Sequence, residues 1–192
     1  MDSTKLVKVW DLPIRIFHWL LVVGFFVAYL TEEELLTVHV WAGYLVLGLL
    51  IFRLLWGFMG NGYARFKNFL CSPVKSYTYI KDVIALKSKR HLGHNPAGAA
   101  MIVLLIISLF MTAITGIVVY AADQNLGPLA GIVGSSHEKL WEEIHEFAAN
   151  LTLLLVVIHV AGVAVESVIH RENLVKAMWN GYKKSDKAVV DK

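Results

Sequence analysis

The chain has 192 residues, 57% of them hydrophobic and only 17% charged, with a mean hydropathy of +0.58, more apolar and less charged than a soluble domain of this size. Its single cysteine, Cys71, excludes an intrachain disulfide framework, a Cys-x-x-Cys-His haem attachment and a cysteine-ligated iron–sulfur cluster. The formal net charge of +3 says little by itself; where the charges lie says more.

The apolar residues fall in blocks long enough to cross a bilayer, for which about 20 residues are needed. The first block runs from Pro13 to Leu30, after Asp11 as an N-cap and with Pro13 tolerated in the first turn. Lys5, Lys8 and Arg15 give it a basic leader, but it holds His18 and ends in Tyr29-Leu30-Thr31-Glu32 without a small-residue cleavage site. It therefore reads as a retained anchor rather than a signal peptide. The second block runs from Thr37 to Phe58. A long connection follows, in which Ser72-Pro73 would cap an amphipathic helix over residues 73–87, with Val74, Tyr77, Ile80 and Ile84 at helical spacing. Such a helix is expected to lie in the membrane interface. The third block, Ala97 to Ala122, carries no charge and begins after Asn95-Pro96; the fourth runs from Ile144 to Val168. Residues 182–192 read as a disordered tail. The expected fold is all-α, a transmembrane four-helix bundle occupying residues 1–181.

Basic residues near span ends set orientation. The connection between spans 2 and 3 holds Arg65, Lys67, Lys75, Lys81, Lys87, Lys89 and Arg90, and the C-terminal segment adds Arg171, Lys176, Lys183, Lys184, Lys187 and Lys192. The other two connections carry Glu32, Glu33 and Glu34, and Asp123, Glu138, Glu142 and Glu143 against one Lys139. Both termini are therefore expected in the cytoplasm.

Ionisable residues within spans are costly and usually functional. Four of the eight histidines lie in or at the edge of spans: His18, His39, His145 and His159. His145 and His159 are fourteen positions apart on one helix, about 21 Å at ~1.5 Å per residue and close to four whole turns, so both face one side. They are too far apart to share a metal ion and well placed for two sites stacked along the membrane normal. Depth pairs His39 with His145 in the outer layer and His18 with His159 in the inner one. Two axial imidazoles saturate a haem iron and leave no open position, which favours electron transfer over oxygen activation. Zinc or copper fits less well, because each layer supplies only two nitrogen ligands and no cysteine. Arg53, fourteen positions after His39, and Arg15, one turn before His18, are placed to pair with propionates of the inner haem; snorkelling toward headgroups is the structural alternative. His91 and His94 flank the start of span 3 as interfacial residues or quinone contacts, and His170 reads as solvated beside Arg171.

Trp10-Asp-Leu-Pro-Ile-Arg-Ile-Phe-His18-Trp, His39-Val-Trp-Ala-Gly43, Arg53-Leu-Leu-Trp-Gly57, His145-Glu, His159-Val-Ala-Gly162 and His170-Arg-Glu-Asn173 together give the chain its family likeness. It resembles the bacterial cytochrome b561 / nickel–iron-hydrogenase b-type cytochrome family over nearly its whole length. The resemblance implies a four-helix protein of the bacterial inner membrane with two haem b groups and the same four axial histidines. It also implies electron exchange between the quinone pool and a periplasmic redox partner, with no catalytic side chain of its own. Hydrogenase-type members often have a further span and longer loops, so a periplasmic c-type cytochrome is the expected partner ahead of a hydrogenase. The acidic outer connections would steer a basic partner of that kind. The alternative is an enzyme acting alone, a superoxide oxidase or other membrane oxidoreductase passing electrons to quinone; a lone Lys139 is a poor funnel for an anionic radical.

Overall fold

The computed structural model describes residues 6–32, 35–60 and 62–185. The elements run β1 (Leu6–Lys8), α1 (Leu12–Leu30), α2 (Leu36–Met59), the short α3 (Phe66–Phe69), α4 (Pro73–Ile84), α5 (Pro96–Gln124), α6 (Glu138–Ile169), α7 (Leu174–Asn180) and β2 (Tyr182–Lys184). Helices α1, α2, α5 and α6 are each long and apolar enough to span a bilayer. The fourth spanning helix is longer than its apolar block: the acidic run from Glu138 continues the helix without a break, as carboxylates near a helix N-terminus favour.

Local chemistry explains where the helices begin. Asp11 Oδ1 accepts from the Ile14 amide at 3.0 Å at the head of α1, Ser72 caps α4 ahead of Pro73, and Asn95 Oδ1 accepts from the Gly98 amide at 2.7 Å at the head of α5. Asn173 caps α7 in the same way, at 2.7 Å from the Lys176 amide. Gly181 then closes α7 at φ +89°, a left-handed conformation that glycine adopts without strain.

The chain divides into two compact units: Met1–Phe17, Leu54–Ile102 and Ile158–Lys192 in the first, His18–Arg53 and Val103–Val157 in the second. In the second unit, segments of all four spanning helices pack around one core. Phe25 of α1, Val46 and Leu50 of α2 and Leu109 of α5 form its centre, with Leu153 and Val156 of α6 against them. A buried hydroxyl cluster adds to it, Ser108 Oγ lying 2.6 Å and Thr112 Oγ1 3.1 Å from Thr152 Oγ1. Each threonine also donates to its own helix, Thr152 to the Ala148 carbonyl at 2.8 Å and Thr112 to the Ser108 carbonyl at 3.0 Å, so these polar atoms are satisfied within an apolar interior.

The first unit holds a feature that an all-α expectation omits. β1 and β2 pair antiparallel, Leu6 opposite Lys184 and Lys8 opposite Tyr182, so the expected disordered tail starts too early: residues 182–184 are a strand, and residues 186–192 lie outside those described. The Val9 amide donates to the Gly181 carbonyl at 2.8 Å, and the Arg15 guanidinium donates to the Trp179 carbonyl. Glu172 meets Arg90 at 2.8 Å and the buried Lys183 at 3.4 Å. His170, expected to be solvated, instead lies 3.2 Å from Glu166 Oε2 and is mostly buried. The carboxylate four positions earlier, in the last turn of α6, provides the reason.

Helix α4 is latched to this unit from one side. Ser76 Oγ donates to the Pro96 carbonyl at 2.9 Å, and the Tyr79 hydroxyl lies 3.1 Å from the Lys89 carbonyl and 3.2 Å from Glu166 Oε1. Burial first, and then the Glu166 carboxylate, push the Tyr79 phenol up to about 12 from 10.0. Because the folded value lies above the unfolded one, the stabilisation is fully present below pH 10.0 and is lost as pH rises through about 12. An ultraviolet titration should therefore show one tyrosinate appearing only near pH 12, and Tyr79→Phe should abolish that step; an unchanged titration in the variant would count against the assignment.

Candidate functional site

The second unit brings His39 and His145 together. His39 sits in the first turn of α2 and His145 two turns into α6, and their ring centroids lie 6.0 Å apart with the planes crossing at 86°. Each ring is held through the same atom. His39 Nδ1 lies 2.9 Å from the Ala28 carbonyl near the end of α1. His145 Nδ1 lies 3.0 Å from the Thr112 carbonyl and 3.1 Å from Thr115 Oγ1, both on α5. A carbonyl oxygen only accepts, so Nδ1 carries the proton in both rings. The Thr115 hydroxyl donates to the Met111 carbonyl at 2.8 Å, which leaves its oxygen to accept from His145. With Nδ1–H fixed, Nε2 is the lone-pair nitrogen of each imidazole, the form in which histidine binds a metal.

Between the helices lies an open cleft lined by both histidines, Gly43, Gly116, Tyr44 and Tyr120. Two glycines keep it open. A Cβ on Gly116 would stand 2.9 Å from His145 Cε1, and a Cβ on Gly43 would meet nothing within 4 Å.

The donor set fits a planar macrocyclic metal better than a bare ion. Among the described residues no three His, Cys, Asp or Glu side chains gather as a metal site, so an ion here would find two protein ligands. A metal whose equatorial positions are already filled needs only two. His39 and His145, with their rings 6.0 Å apart and Nδ1 of each already committed, are the two residues that would hold it.

The other candidates are distributed differently. His18 on α1 belongs to the second unit and His159 on α6 to the first, each half-buried on its own helix. Along α6 the positions His145, Thr152, His159 and Glu166 recur every seven residues and so share one face, and Thr152 is wholly buried. Arg53 is buried within α2, only 4% exposed, whereas Arg15 is tied to the backbone at Trp179. Away from these, the His94 ring lies 4.5 Å from that of Trp10 and 4.6 Å from that of Phe69, which makes it part of an aromatic cluster. His91 is exposed, and Glu33 and Glu34 lie outside the described residues.

Sequence reading alone missed Ala28, Thr112, Thr115, Tyr44 and Tyr120. A signal for part of this set was present: Ser108, Thr112 and Thr115 fall at spacings of four and three in a span without charge, marking one polar stripe.

Residues 9–181 match the family described as prokaryotic cytochrome b561. Curated relatives include a probable Ni/Fe-hydrogenase B-type cytochrome subunit of Azotobacter chroococcum mcd 1, 25% identical over 92% of this chain and 88% of the relative. The probable Ni/Fe-hydrogenase 1 B-type cytochrome subunit of Escherichia coli (strain K12) is 26% identical over 91% of this chain and 89% of its own length. Both alignments extend over 218 positions, more than the 192 residues of this chain, so these relatives carry residues within the matched region that this chain lacks. No solved structure matches the chain at a significant level.

Proposed function

Since the chain belongs to the prokaryotic cytochrome b561 family, we propose that it holds two haem b groups, His39 with His145 and His18 with His159, and passes electrons between the quinone pool and a periplasmic redox protein. At the coarser level it is a multi-pass membrane b-type cytochrome that transfers electrons. The observation that carries the finer reading is the His39–His145 pair, with both Nδ1 atoms committed to acceptors and an open cleft lined by both rings.

Bound haem supplies one-electron chemistry at iron. The protein's contribution would be the imidazoles that hold the group, two of them, His39 and His145, oriented through Nδ1, and a largely apolar lining around that pair. The buried Arg53, on the same face of α2 as His39 and fourteen positions further along, is assigned to a propionate of the inner haem. Arg15, whose guanidinium donates to the Trp179 carbonyl, is the second candidate.

The excess of lysine and arginine between α2 and α5 and after α6 supports cytoplasmic termini in a bacterial inner membrane. His39 and His145 then lie toward the periplasm, near Glu142, Glu143 and Glu146, a charge pattern suited to a basic c-type cytochrome. A hydrogenase as the periplasmic partner is the second reading, favoured by the names of the curated relatives.

Haem analysis of the purified protein should give two haems b per chain, falling to one in His18→Ala and in His159→Ala. A variant that kept both would break the ligand assignment. In proteoliposomes a quinol should reduce the haems, and failure to do so would remove the quinone from the scheme.

A further inference from the structure

Helix α4 has two opposed faces, and only one of them is used within the protein. Ser76 and Tyr79, both 6% exposed, pack inward. Val74, Tyr77, Ile80 and Ile84 recur on the opposite side at spacings of three, three and four, and all are exposed, Val74 at 72% and Ile84 at 78%. A stripe of four large apolar side chains turned away from the protein needs a cover.

Its anchors fix its level. Ser76 bonds to the carbonyl of Pro96, the first residue of the spanning helix α5. Tyr79 bonds to Glu166, in the last turn of the spanning helix α6. The stripe therefore lies where two membrane helices end, at the depth of lipid headgroups. Charge selects the kind of lipid. Lys75 and Lys81 flank the stripe, Lys87 follows it, and Asp82 is the lone acidic residue of the sequence between Arg65 and Arg90. Lys81 Nζ lies 4.4 Å from the centre of the Tyr77 ring, so its stem runs along the apolar face and presents the ammonium at its edge. In the same unit α7 exposes Val175 and Trp179 one turn apart, with Lys176 beside them; tryptophan at this level is a usual headgroup anchor.

We infer that the outward face of α4 is a binding surface for anionic phospholipid, with Val74, Tyr77, Ile80 and Ile84 entering the acyl boundary and Lys75, Lys81 and Lys87 holding the headgroup charge. This surface is independent of the haem ligands. Its occupant is the bilayer already surrounding the chain, and a soluble protein partner is the outcome the test must separate.

The test uses the full-length, haem-loaded protein with Cys71→Ser, reconstituted in phosphatidylcholine alone or with phosphatidylglycerol. Nitroxides at Val74→Cys and Ile84→Cys should relax more with oxygen than with a water-soluble nickel chelate. The wild-type protein should restrict spin-labelled phosphatidylglycerol in preference to phosphatidylcholine. Lys75→Gln, Lys81→Gln and Lys87→Gln together should lower that preference by at least about fivefold, the worth of a single lysine contact at a membrane surface. Haem content should stay unchanged. Nitroxides more accessible to nickel than to oxygen would overturn the proposal, because the stripe would then face water and await a protein. A lipid preference unmoved by the triple substitution would overturn it as well. The label measurements do not need the triple variant, so they decide the matter even if that variant folds poorly.

Discussion

His145→Ala is expected to remove one of two haems and leave the other in place. Alanine at position 145 has no nitrogen to offer a metal, so the outer pair would be left with His39 alone. Loss of the imidazole also strips the Thr112 carbonyl and the Thr115 hydroxyl oxygen of their shared donor. A haem left with His39 alone would be five-coordinate, with an open position that a native pair denies. The reduced-minus-oxidised spectrum should therefore lose about half its b-type amplitude, and any residual haem should bind carbon monoxide, which the parent protein should not. Because a cofactor bound only by the folded state stabilises it by mass action, the variant should also melt at lower temperature. Gly43→Leu provides a control that touches neither ligand. Its side chain would extend into open space that lines the cleft, so it should lower haem content without altering His39 or His145. Full haem content and no carbon monoxide binding in His145→Ala would mean that another residue is the ligand.

The parts of this fold that were legible in the sequence are those decided locally. Four long apolar runs define α1, α2, α5 and α6, and Asp11, Ser72 and Asn95 mark three of the helix starts, because a cap and its target amide are three residues apart. The lower boundary of α6 was obscured by chemistry: Glu138 to Glu143 read as a polar connection, yet acidic residues are good helix formers in a first turn. The β1–β2 pairing left no local trace, since Leu6 and Lys184 meet only when the two ends of the chain do, and strands of three residues carry too little alternation to read.

The site divides along the same line. Histidines in a span announce themselves through their cost in lipid, and a fourteen-residue repeat on one helix is arithmetic. The acceptors are harder to see. Ala28 acts through its carbonyl, which every residue possesses. Thr115 was open to an ordinary reading, because a threonine in a membrane helix satisfies itself on the preceding turn, as this one does at Met111. Its second role emerges only when α6 places His145 against α5.

That second role predicts a graded response along α5. Thr115→Val keeps the shape of the side chain and removes the oxygen 3.1 Å from His145 Nδ1. The Thr112 carbonyl, at 3.0 Å, still accepts, so the ring keeps its tautomer and the haem should stay bound. What changes is ligand basicity. An Nδ1–H that donates to two oxygens gives Nε2 more electron density than one donating to a single oxygen, and a more basic ligand favours ferric iron. A net hydrogen bond is worth roughly 0.5–1.5 kcal/mol, and for a one-electron couple about 1.4 kcal/mol corresponds to ~59 mV. The midpoint potential of the haem held by His145 should therefore rise, by no more than roughly 20–60 mV, with the other haem unchanged, in a spectroelectrochemical titration. Gly116→Val tests the neighbouring position by bulk instead of polarity. Its Cβ alone would stand 2.9 Å from the His145 ring, so the imidazole must swing away from both acceptors and that haem should be lost. Thr115→Ser, which restores the oxygen, should return the potential toward that of the parent. If Thr115→Val and Thr115→Ser shift it equally, the effect comes from packing and the hydroxyl has no hold on the ligand.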